Sequence, residues 1–92
     1  MCRNIRVLHN FQPPTTPEEI RDASLQFVRK VSGLHHPPQV DNAAFERAVN
    51  SVTAATTRLL DSLHKSAHVR TREGEREKAR LRWQKREASL RG

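Results

Sequence analysis

Residues 34–40, Leu-His-His-Pro-Pro-Gln-Val, limit the fold more than any other feature of the chain, because no helix can run through them. Pro37 and Pro38 have no amide hydrogen to donate, and each ring collides with the carbonyl four residues back. Gly33, just upstream, suits the left-handed turn that ends a helix. A turn is therefore predicted here, and each flank has to find its own structure.

Both flanks read as amphipathic helices. Upstream, Thr16 can cap the first amides, Pro17 fits the first helical position and Glu19 completes a capping box, which predicts a helix over 16–32. Ile20, Ala23, Ser24, Phe27, Val28 and Val31 then fall along one stripe. Downstream, Phe45, Ala48, Val49, Val52, Ala55, Thr56, Leu59, Leu60 and Leu63 keep the same spacing and predict a helix over 42–66. A short connection favours an antiparallel two-helix hairpin, with Phe27 and Val31 packed against Phe45 and Val49.

With 92 residues there is room for one domain, and 35% apolar residues with only 4% aromatics make its core thin and aliphatic. Two facing stripes form a single layer that needs cover. The N-terminal segment 1–15, through Ile5, Val7, Leu8 and Phe11, is expected to lie over the hairpin as a lid, or two chains to pair as a homodimeric four-helix bundle, or both. The expected fold class is all-α, a small domain over 1–66 followed by a basic, partly helical C-terminal tail over 67–92.

The charge divides the chain at the same place. Residues 1–63 hold seven Lys/Arg against six Asp/Glu, whereas 64–92 hold ten against four, so +6 of the net +7 lies in the last third. From Arg70 onward helix propensity is high, yet Ala79, Leu81, Trp83, Ala88 and Leu90 do not form a broad stripe. Glu73 with Arg76 and Glu77 with Arg80, spaced i, i+3, support a solvated helix. Gly74 weakens its start, so a frayed helix is predicted.

Residues 78–86 contain five basic side chains and no acid, with Trp83 among them. Arg72, Arg76, Arg80, Arg82, Lys85 and Arg86 are candidates to neutralise phosphates, and Trp83 to stack on a base, which points to nucleic-acid binding with little sequence preference. The plainer account is a solvated tail, since charge runs are usually surface. A membrane-surface helix needs a wider apolar face than this one has, and a connection of about eight residues is too long for a helix-turn-helix reader.

A second candidate is a soft-metal or redox centre at Cys2, joined by His9 and by His64 and His68 at i, i+4. There is no CxxC or HExxH, and exposed histidines with Cys2 tucked against the core account for the same residues. A third is a protein-interaction module whose hairpin stripe docks a partner helix. Glu18, Glu19 and Asp22 in the first turns of a helix complement its dipole without implying catalysis. With no GxSxG and no phosphate-cradling glycine loop, an enzyme is not expected, nor a cofactor other than a metal at Cys2. No apolar run approaches the roughly 18 residues of a membrane span, the first residues lack the apolar stretch of a signal peptide, and one cysteine allows no internal disulfide. The expected compartment is the cytoplasm.

Several fixed-spacing blocks occur together: Met-Cys-Arg-Asn-Ile at 1–5, Asn10-Phe11-x-Pro13-Pro14, Glu18-Glu19-Ile20, Phe27-Val28-Arg29-Lys30-Val31-Ser32-Gly33, Asn42-x-Ala44-Phe45, Ala48-Val49 and Leu59-Leu60. In these the chain resembles a family of short bacterial proteins of unknown function, over about residues 1–63. The resemblance implies a bacterial, cytosolic origin and a compact helical domain. It brings no activity, cofactor or partner with it, and the basic tail lies outside the blocks.

Overall fold

The structure, a computed structural model, describes residues 5–91. It is all-helical: α1 spans Pro17–Ser32, a short 3-10 turn spans Gln39–Asp41, α2 spans Asn42–Ser62 and α3 spans Arg72–Arg91.

The ends of α1 fall where the local chemistry puts them. The Thr16 hydroxyl accepts from the Glu19 amide at 3.2 Å while the Glu19 carboxylate accepts from the Thr16 amide at 2.9 Å, closing the capping box. Pro17 occupies the first turn, and Gly33, at φ 73°, returns its amide to the Arg29 carbonyl. The prolines then carry the chain round to the 3-10 turn and into α2.

The two helices pack through Val28, Phe45 and Val49, with Leu25, Leu34, Ala48 and Val52 against them, and Val49 has no solvent exposure at all. Ile20 and Ser24 complete the buried face of α1, and the Ser24 hydroxyl is satisfied by the Ile20 carbonyl at 2.9 Å. Across the rim, Arg21 reaches Asn50 and Glu46. The contacting face differs from the expected one. Val28 rather than Phe27 or Val31 meets Phe45 and Val49, leaving Phe27 46% and Val31 71% exposed. The helix is rotated within its apolar stripe so that Ile20, Ser24 and Val28, each four residues on, form its buried row, and Val28 meets α2.

Two boundaries also differ. The second helix ends at Ser62, four residues short of the expected 66, because Leu63 turns to extended backbone. Beyond it the carbonyls of Ser66 and His68 accept from the Asn10 side chain instead of from amides one helical turn on. The tail, expected to be frayed, is one continuous helix from Arg72 to Arg91. Thr71 caps it by accepting from the Gly74 amide at 3.0 Å, and a Cβ on Gly74 would stand 2.9 Å from that hydroxyl, so glycine fits under the cap. Of the two expected i, i+3 pairs, Glu77–Arg80 forms, while Glu75 rather than Glu73 supplies the other, to Lys78.

The N-terminal segment does something the sequence pattern did not signal. Residues 10–12 run beside Arg70 in a single parallel bridge, with the Gln12 amide donating to Arg70 and the Arg70 amide donating to Asn10, both at 2.9 Å. Ile5 and Leu8 also border a hollow with Phe27 of α1 and Val52 and Leu60 of α2.

Candidate nucleic-acid interface

The backbone of α3 stands off α1 and α2. Among the described residues no Cα of α3 comes within 8 Å of one in α1 or α2, and no residue of α3 is buried. The radius of gyration is 16.1 Å, against about 12 Å for a compact domain of this length. With twenty residues α3 is an arm about 30 Å long.

Arg72 fixes the root of the arm. Its guanidinium donates to both oxygens of Glu19, at 2.7 and 3.0 Å, and to the carbonyls of Pro13 and Pro14. It also lies over the Phe11 ring, 5.4 Å from the centroid. Arg72's bond, helped by the Thr16 amide, holds the Glu19 carboxyl down at about 2, and Glu19 in turn raises Arg72 above its ordinary value. Of the seven residues expected to meet nucleic acid, Arg72 is therefore engaged inside the molecule.

The others lie along the arm. Arg80 is bound to Glu77, which lowers the Glu77 carboxyl and raises Arg80, all of it in solvent. Among the described residues Arg76, Arg82, Lys85 and Arg86 have no ion pair and no side-chain hydrogen bond. Arg82, Lys85 and Arg86, spaced i, i+3, i+4, share one face of the helix. Trp83, 53% exposed, stands beside them.

The residues expected to hold a metal are brought together only in part. Cys2 lies outside the described residues. His9 Nε2 is 3.2 Å from the main-chain oxygen of His64, and His68 contributes its carbonyl to Asn10. Segments 9–10 and 64–68 thus meet, but the His9 imidazole and the Asn10 amide face main-chain carbonyls of 64–68 and not the His64 or His68 rings. Among the described residues no three His, Cys, Asp or Glu side chains cluster as a metal site.

Two residues that organise this region were not singled out as site residues. Asn10, at φ 64°, adopts the left-handed backbone that asparagine tolerates, and its amide faces Ser66 O, Ser66 Oγ and His68 O, each at 3.1 Å. Arg70 donates to the His9 carbonyl at 2.8 Å. The local signal was the Asn10-Phe11-x-Pro13-Pro14 block, which marks a turn but not its distant partner.

Fold and site together define a small all-helical protein in which a two-helix core carries a cationic third helix. The model of an uncharacterised conserved protein family, DUF2277, matches residues 1–78, and the chain belongs to that family. The match runs past residue 63 to include Asn10's partners, Arg72 and the first turns of α3, leaving only 79–92 beyond it. No curated protein and no solved structure matches the chain. Among the described residues no helix is long and apolar enough to cross a membrane.

Proposed function

We propose that this chain is a non-enzymatic, cytoplasmic helical module that binds single-stranded nucleic acid without sequence preference through α3. In this reading α1 and α2 form an antiparallel hairpin beneath a lid of residues 5–15, and Arg72 anchors the arm. The observation that carries it is the set of four cations, Arg76, Arg82, Lys85 and Arg86, that have no ion pair among the described residues and stand on a helix whose described side chains are none of them buried. Cations already held by carboxylates gain little from a phosphate, whereas free ones release the polymer's counterions. Exposed Trp83 beside Arg82 and Arg86 supplies a stacking plane that duplex DNA, with its bases covered, does not use.

Trp83 is the sole tryptophan and reports its own environment. Titrating single-stranded DNA or RNA into the protein at low salt is expected to quench its fluorescence, and Trp83→Ala to weaken binding by about 1–3 kcal/mol. Binding with Trp83 fluorescence unchanged, or no binding at low salt, would refute the proposal.

A second reading has its own observation. Phe27, Val31, Leu59 and Leu63 remain 41–71% exposed on the hairpin. A surface of that kind suits a protein partner or a second copy of the chain. A sedimentation-velocity series over concentration tests it, with a concentration-independent monomer as the contrary result.

A further inference from the structure

We infer that the groove between residues 5–11 and α3 is a binding site for a small amphipathic anion, a carboxylate or phosphate monoester attached to an apolar body. The groove encloses about 400 Å³, within the range of small-molecule sites. Ile5, Leu8 and Phe11 line it from the N-terminal segment, and Ala79 from α3. These give an apolar wall that the arm, standing away from the hairpin, leaves in contact with water.

The charged groups in the same wall are unequally matched. Glu19 is neutralised by Arg72, and Glu75 by Arg70 and Lys78. Arg6, Arg76 and Arg82 also line the groove, and among the described residues none of them has an ion pair or a side-chain hydrogen bond. Among the described residues the lining therefore holds three guanidiniums without an ion pair and no carboxylate without one. A guanidinium fork matches the oxygens of a carboxylate or phosphate, so an anionic head is favoured and a cationic one repelled. A neutral apolar ligand would leave the three arginines unanswered, and a bare inorganic anion would leave the apolar wall wet. Only a molecule with both parts satisfies both parts of the groove.

This site shares Arg76 and Arg82 with the nucleic-acid arm, whereas Lys85 and Arg86 are not in its lining, so Lys85 reports on the arm alone. The probe is anilinonaphthalene sulfonate, an aromatic body with one anionic group, added to the full-length chain. Saturable binding of one dye per chain is expected, displaced by decyl phosphate at concentrations where decanol and inorganic phosphate have no effect. Arg6→Gln with Arg76→Gln is expected to weaken dye binding at least about tenfold. Ala79→Trp, on an exposed turn of α3 and leaving every arginine in place, is expected to abolish it by filling the groove, and K85Q to leave it unchanged. Decanol displacing the dye as well as decyl phosphate would overturn the proposal. So would dye binding that survives Ala79→Trp, or that R6Q/R76Q leaves within about twofold of wild type. Loss of nucleic-acid binding in K85Q with dye binding intact would support a groove that works without Lys85, and parallel loss of both would overturn it.

Discussion

Glu19 serves two helices at once. One oxygen closes the α1 cap on Thr16 and, with the other, receives the fork of Arg72 at the root of α3. Glu19→Gln keeps the capping box, since glutamine also accepts at that position, and removes the charge that Arg72 meets. With the side chain about a third exposed, solvent screening reduces the effect of its lowered pKa, and a loss of about 1 kcal/mol is expected in urea unfolding at pH 7. The sign with pH follows from the direction of the shift. A carboxyl lowered from 4.5 to about 2 stabilises the fold fully above 4.5, and that contribution is lost as pH falls from 4.5 through 2. Wild type and E19Q should therefore differ at pH 7 and converge near pH 2. A constant difference across that window would show that the pair is not the cause. Asn10 acts similarly as a tie, and Asn10→Ala should speed amide exchange at Arg70, whose N–H donates to the Asn10 carbonyl, while leaving Val49 protected. Equal acceleration at both amides would make Asn10 part of the core's cooperativity and not a local clasp.

At the scale of elements, what is local in chain was legible and what is distant was not. Thr16, Pro17, Glu19 and Gly33 act on neighbours within four residues, so α1 could be bounded from sequence. Periodicity located the apolar stripe of α1 but not which part of it faces α2, because a stripe more than 100° wide leaves the rotation open. Hence Val28 is buried where Phe27 and Val31 were expected. The path of the chain between α2 and α3, and the anchoring of α3, depend on Asn10 and on Glu19, 56 and 53 residues from Ser66 and Arg72. No spacing rule reaches that far. The same distance decided the site: the six candidate arginines and lysines of the arm look alike in sequence, and only the fold separates Arg72, held by Glu19, from Arg76, Arg82, Lys85 and Arg86. The packing itself predicts that Val49→Ala, which removes buried methyl groups from the most enclosed position, costs about 2 kcal/mol in urea unfolding. The same change at exposed Val40 should cost almost nothing. Equal effects at the two positions would contradict the placement of the core.

The whole molecule is flat, 48 × 37 × 16 Å between Cα atoms, with its core at the α1–α2 contact and its charge on the arm. Such a division lets one part be stabilised by burial while the other keeps its cations in water, where a polyanion can reach them. It also predicts that neutralising the arm changes binding and not folding. The most direct measurement is the salt dependence of single-stranded DNA or RNA binding by the wild-type chain and by R82Q/K85Q/R86Q, with urea unfolding of both. Four free cations predict a slope of log K against log salt of about −3 for the wild type, falling to about −1 in the triple variant, with unchanged unfolding midpoints. A slope that the three substitutions leave unaltered, or absence of binding by the wild type at low salt, would contradict the assignment of α3 as a nucleic-acid arm.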